Sequence, residues 1–282
     1  MRDLRRRIDD AEREALDALC EMDEIRLQVI PALLAEYAVL IGCHENELFA
    51  AGVDLRRAKR RLTLARRYAN RGERVDEGAI EGQLDEEFVR WQKELRERLE
   101  ELSERIAEHE RMTPLPAEDA AEIKRIYREL MRRLHPDANP NQTEETRRLF
   151  ALAQQALADG DLQAMRAIRS AASLVAAEPP APTMPKDVPG ATVRVEDELA
   201  AHLALVGATR DGMLERLDAL RQTFPYPLRD QLRDKGWVAG QVRDIQRRID
   251  ECRKAEGECR EQYRRLVGGV AAASGEMPDG RG

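Results

Sequence analysis

Leu4, Ile8, Ala11, Ala15, Ala18, Met22, Ile25 and Val29 recur at alternating steps of four and three residues. That is a heptad seam, and a helix with such a stripe has to bury it against another helix. The same stepping resumes at Leu34, Tyr37, Ile41, His44, Leu48, Ala51, Leu55, Ala58, Leu62, Ala65 and Ala69. Pro31 lies between the two runs and either kinks one helix or opens the next at its first position. Only 4% of residues are aromatic and 36% are charged, which points to long helices and coiled coil rather than sheet. The expected fold is all-α, with long coiled-coil helical hairpins around a smaller helical module.

A turn is expected over Gly72–Gly78, followed by a helix with an apolar stripe at Leu84, Phe88, Trp91, Leu95, Leu99, Leu102 and Ile106. Phe88 and Trp91 read as core. Charge supports pairing across this turn. Arg56 to Arg74 holds nine basic residues and one acid, and Glu81 to Glu110 holds eleven acids and five bases. An antiparallel hairpin brings these blocks together, and opposite blocks select register even where each exposed pair contributes little. The alternative use of Arg56, Arg57, Lys59, Arg60 and Arg61 is to bind phosphates. The acidic neighbour and the net charge of -7 argue against nucleic acid or an anionic membrane as partner.

Toward the end of the chain the heptads return. Leu199, Leu203, Val206, Arg210, Met213, Leu217 and Leu220 form one seam. Val238, Val242, Ile245, Ile249, Cys252, Cys259, Tyr263 and Leu266 form another, with Glu256 in the missing place. The short connection, which contains Pro and Gly, predicts an antiparallel hairpin of these two helices. In that hairpin Arg210 and Glu256 do not meet, so the arm is expected to dimerise or to pack on the N-terminal coiled coil. Before it, Ala177–Gly190 is Pro-rich and reads as an extended linker. Cys20, Cys43, Cys252 and Cys259 have no paired metal spacing and read as structural.

The middle of the chain differs in kind. Ile123, Tyr127, Leu130 and Leu134 share one helical face, and Lys124, Arg125, Arg128 and Arg132 are placed on the other. Pro136 stops this helix, because proline disfavours helical geometry in the residue before it. Asn141 or Thr143 caps a second helix with Glu144 and Glu145 in its first turn. That helix carries Leu149, Phe150, Ala153, Ala156 and Leu157 on a broad apolar face. Two short antiparallel helices then hold His135-Pro136-Asp137 exposed in the connecting loop. Leu162, Met165, Ile168 and Leu174 suggest one more short helix.

Residues 116–160 resemble a J domain, the ATPase-stimulating module of DnaJ-type cochaperones. Ile123-Lys124-Arg125-Ile126-Tyr127-Arg128 is similar to the start of that family's second helix. Arg132 through Pro140, with His135-Pro136-Asp137 inside it, is similar to its end and signature loop. Phe150 and Ala156 stand where the family's third helix packs. The family's first helix normally lies shortly upstream, where this chain has Met112-Thr113-Pro114-Leu115-Pro116. The resemblance implies docking of Lys124, Arg125, Arg128 and Arg132 on an acidic surface of a DnaK-type chaperone. His135, Pro136 and Asp137 would then favour the hydrolysis-competent state of that chaperone's ATPase. The Gly/Phe-rich segment and the zinc-binding cysteine repeats of full DnaJ are absent from the sequence.

No catalytic constellation, phosphate loop or metal-ligand spacing is present, so the sequence does not read as an enzyme and calls for no cofactor or metal. The domain layout expected in chain order is 1–112 coiled-coil helices, 113–175 J-like module, 176–195 linker, 196–268 helical hairpin and 269–282 disordered tail. No apolar run is read as a membrane span and the charged N-terminus is not followed by an apolar core, so the expectation is a cytoplasmic protein. Two functions compete. One is a J-domain-like cochaperone or adaptor whose coiled coils hold a client or scaffold protein, with homo-oligomers possible. The other is a structural coiled-coil scaffold with an inactive J-like segment.

Overall fold

The computed structural model describes residues 1–112, 115–136, 142–175 and 191–275. Every regular element among them is helical. Helices α1 (Arg2–Glu24), α2 (Ile30–Tyr37) and α3 (Cys43–Asn70) follow one another through two π-turns, Ile25–Val29 and Ala38–Gly42. They form one continuous helix from Arg2 to Asn70. The chain continues with α4 (Glu77–Arg111), α5 (Ala117–Leu134), α6 (Glu144–Asp159), α7 (Leu162–Val175) and α8 (Ala191–Arg221). A 3-10 turn (Tyr226–Leu228), the short α9 (Arg229–Arg233) and α10 (Lys235–Gly275) complete it.

Pro31 therefore lies inside a continuous helix and does not open a separate one. The π-turn just before it supplies the reason, with Ile30 N–H donating five residues back to the Ile25 carbonyl. A wider turn there absorbs the missing proline N–H and the ring's crowding of the preceding turn. The apolar content of this helix also corrects the sequence reading. Leu27 to His44 has Glu36 as its single Asp, Glu, Lys or Arg. The helix contains an 18-residue window of mean hydropathy 1.5, long and apolar enough by length and composition to cross a membrane. Within that stretch Leu33, Ala35, Ala38 and Ile41 are buried by packing in the structure.

The chain folds into two compact units that interleave in sequence, Met1–Leu34 with Met112–Arg229, and Ala35–Arg111 with Asp230–Gly282. This replaces the layout expected in chain order, in which 1–112 stood as one coiled-coil domain. Helix also extends into both flanks read as irregular, with α8 beginning at Ala191 and α10 running to Gly275.

In the second unit, α3 and α4 form the antiparallel hairpin that the charge blocks predict. Gly72 turns the chain at φ 69°, a left-handed conformation that glycine adopts without a Cβ clash. Asp76 Oδ1 then accepts from Ala79 N–H at 2.9 Å and caps α4. Arg57 meets Glu81 at 3.0 Å and Asp85 at 2.6 Å, Arg61 meets Glu81 at 2.6 Å, and Arg60 meets Glu87 at 2.6 Å. Hydrogen bonds from Arg60 hold the Glu87 carboxyl below its usual range. Beneath these pairs Leu64, Ala65, Val75, Ile80, Leu84 and Phe88 close a core, with Trp91 packed against it.

Helix α10 lies along α3 rather than along α8. Arg253 reaches Glu47 at 2.6 Å and Arg66 reaches Gln262 at 2.7 Å, so the residue numbers rise together and the pair is parallel. In the first unit α8 lies along α1, also parallel. Arg210 meets Glu14 at 3.3 Å and Arg221 meets Glu21 at 2.5 Å, while Ala18, Met22 and Ile25 pack on Met213 and Leu217. The hairpin expected over 196–268 is thus corrected: each of its helices pairs with a segment of the N-terminal helix. Of the two polar residues that a hairpin leaves unmatched, Arg210 finds Glu14 across the α1–α8 contact, while Glu256 pairs with Arg260 along its own helix at 2.5 Å, which either arrangement allows.

Candidate functional site

The rest of the first unit is built on α5. Glu118 and Asp119 stand in its first turn, and Arg132 and Arg133 in its last, each complementing the helix dipole. Ile123, Ile126, Tyr127, Leu130, Met131 and Leu134 are all buried. They pack with Ala153, Ala156 and Leu157 of α6 and with Met165, Ile168 and Ala172 of α7 in one cluster. Gly160 ends α6 at φ 65°, in the left-handed region, so α7 can turn back onto α5. The Leu174 side chain lies outside the described residues.

The basic residues of α5 divide into two groups. Arg125, Arg128 and Arg132 are all exposed, and with Ala121 they follow a four, three, four spacing that places them on one line. Lys124 lies to one side of this line, with its ammonium 2.5 Å from Glu24 of α1. Arg128 is 3.9 Å from Asp17 of α1, and Arg125 is 3.6 Å from Glu122 on its own helix.

The line ends at His135. This residue leaves the helix in extended geometry (φ -68°, ψ 136°), as its position before Pro136 requires, while its N–H still donates to the Met131 carbonyl at 3.0 Å. The side-chain amide of Gln142 donates to the Leu134 carbonyl, and Thr143 Oγ1 accepts from Thr146 N–H at 3.2 Å to start α6. The His135 ring is half-buried, edge-on to Phe150 with centroids 5.5 Å apart. The expected fully exposed histidine is therefore corrected to one seated on α6. Pro136 is exposed, and Asp137 lies outside the described residues. His135 and Arg132 also face a groove of about 580 Å³ whose walls include Leu16 and Leu19 of α1 and Leu205 and Met213 of α8.

The sequence reading missed α1 as a wall of this site. Cys20 belongs to the α5–α6–α7 cluster, and Leu16, Leu19 and Leu27 pack against it. Tyr127 Oη donates to Asp23 Oδ2 at 2.6 Å. Gln154 of α6 reaches the same carboxylate at 3.5 Å, and Gln28 bonds the Leu157 carbonyl. A signal was present in the chain, since Leu16, Leu19, Cys20 and Leu27 are apolar positions beside the heptad seam. A helix with two apolar stripes packs on two sides.

Burial, and then Asp23, push the Tyr127 hydroxyl well above the ordinary tyrosine range, while burial pushes the Cys20 thiol up to about 12. An unfolded tyrosine ionises at about pH 10. The raised folded value means that Tyr127 contributes its full stability below that pH and loses it as pH rises further. Tyr127→Phe is expected to cost about 1–3 kcal/mol at neutral pH, because Asp23 loses a buried donor. Thermal melts from pH 8 to 11 should show the wild-type advantage shrinking above pH 10. A gap that stays constant over that range would contradict the buried hydrogen bond.

The arrangement as a whole is a rigid helical platform. It presents three guanidinium groups in line, an imidazole at the end of that line and beside it a groove lined by both apolar residues and charged ones such as Asp9, Glu12 and Arg13. Such a surface is suited to docking another protein through charge and shape. Compared with family models, curated proteins and solved structures, the chain matches none.

Proposed function

We propose that the chain is a J-domain-like cochaperone or adaptor that recruits a DnaK-type chaperone in the cytoplasm and stimulates its ATPase. The observation that carries this reading is the exposed line Arg125–Arg128–Arg132 leading to His135-Pro136. An acidic chaperone surface would be steered onto the guanidinium line, which also sets the register of docking. His135 and the residues after it would then reach the partner's ATPase machinery. The seat of His135 on Phe150 supports the reading, since a group that acts on a partner works best when it is held in place.

The test is steady-state ATP hydrolysis by a DnaK-type chaperone titrated with the full chain and with His135→Gln. Stimulation by the wild type and its loss in the variant are expected. Losing the edge-on contact with Phe150 should lower stability by about 0.5–1.5 kcal/mol, so the variant remains folded. Phe150→Leu serves as the control for packing. If it abolished stimulation as fully as His135→Gln, with an equal loss of stability, the histidine would be structural.

A second reading is favoured by a separate observation. Carboxylates of α1 already stand against Lys124 and Arg128, and α1 lies on α5 while Met112–Pro116 stands where a first helix is expected. A scaffold whose J-like segment has become a folding unit would be built this way. Absence of any ATPase stimulation by the wild type, with no binding to the chaperone, selects this reading.

A further inference from the structure

Three of the four basic side chains expected to dock a partner are paired within the chain, Arg125 with Glu122 of its own helix at 3.6 Å and two with carboxylates of α1. Lys124 Nζ lies 2.5 Å from Glu24 Oε1, and Arg128 Nε lies 3.9 Å from Asp17 Oδ1. The acids belong to one face of α1. Between them Glu21 is taken up by Arg221 of α8 at 2.5 Å, and Asp23 accepts from Tyr127. Each of these carboxylates is therefore matched by a donor of this chain. Helix α1 cannot drift away from α5, because Cys20 is buried in the shared core and Tyr127 is buried against it.

We infer that α1 acts as a built-in acidic competitor for the basic face of α5. This inference rests on the cochaperone reading above. An acidic surface arriving on the Arg125–Arg128–Arg132 line meets Asp17 and Glu24 at its edge. It has to take Lys124 from Glu24 and Arg128 from Asp17 before all four cations serve it. Both pairs are partly exposed: the Lys124 and Glu24 side chains are 40% and 26% accessible, and those of Arg128 and Asp17 are 55% and 52%. Pairs of this kind are weak and screened by salt, so the device tunes affinity and does not block it. Arg125 and Arg132 of the line are not held by α1, and Arg132 beside His135 faces the groove. Docking is then graded. Arg125 and Arg132 make the first contact, and Lys124 and Arg128 join only where the partner's acids outcompete α1.

The experiment uses the full chain with Asp17→Asn and Glu24→Gln together, substitutions that keep shape and remove charge. Stimulation of a DnaK-type ATPase is titrated at low and high salt. The half-maximal concentration is expected to fall about threefold to tenfold at low salt, with the same plateau, and to converge with the wild type at high salt. Stimulation by the variant with a silent wild type also supports the inference, as a stronger form of the same cover. An unchanged or higher half-maximal concentration, with the wild type active, overturns the inference and leaves the cochaperone reading standing. No stimulation by either chain overturns both. Glu24→Gln alone, with its melt recorded alongside, separates lost competition from lost folding. If it melts with the wild type and still shows no gain over it, the competitor role of Glu24 is wrong.

Discussion

Ile249→Asp should lower the stability of the second unit by about 4 kcal/mol or more, a fall of roughly 10–20 °C in its melting temperature. Ile249 is completely buried and Ile245, one turn before it, is 7% exposed. A carboxylate there has no cation within the seam, and a buried charge without a partner is among the costliest single changes. The loss should shrink in acid, because a protonated aspartic acid is less costly to bury than its anion. Hydrogen exchange locates the damage. Protection should fall in α10 and α3, since these helices run side by side through Arg253–Glu47 and Arg66–Gln262. Loss of protection in α8 with α3 untouched would instead indicate the antiparallel hairpin of the two C-terminal helices. An unchanged melt would show that the seam is not packed at all.

Leu130→Ala should cost about 3–4 kcal/mol, from the transfer of the lost methyl and methylene groups and from the cavity left behind. Leu130 is 1% exposed in the cluster shared by α5, α6 and α7, which also holds Cys20 of α1. The substitution removes no charge from the surface, yet it loosens the platform that holds the arginine line and seats His135. Exchange protection around Cys20 is expected to fall together with that of α5, α6 and α7, because one cluster joins them. Full protection of α1 in the variant would mean that its contact with α5 is peripheral, and the competitor role assigned to Asp17 and Glu24 would lose its structural basis.

Much of the local structure was legible in the chain. The helices of the middle segment follow from apolar spacing, from Pro136 and from the Thr143 cap, all of which act within a few residues. The α3–α4 hairpin follows from a glycine turn joining opposite charge blocks, and Arg57, Arg60 and Arg61 meet Glu81, Asp85 and Glu87 across it. The two π-turns were not legible, because an extra residue in a helical turn leaves the composition unchanged. Of the candidate site, the basic helix and the position of His135 were readable. The seating of His135 on Phe150 and the diversion of Lys124 toward Glu24 were not, since both depend on side chains brought in from other helices.

The sequence by itself determined that this protein is all-α and which faces of its long helices are apolar. Those are consequences of backbone geometry and of side-chain spacing over one or two turns. Only the tertiary structure decided which seam meets which. A stripe of Leu, Ile, Val and Ala states that a face is buried and leaves its partner open, because every such stripe offers nearly the same apolar surface. The choice of α1 for α8 and α3 for α10 is made across whole helices. It rests on matched pairs such as Arg210–Glu14, Arg221–Glu21 and Arg253–Glu47, whose members stand about two hundred residues apart.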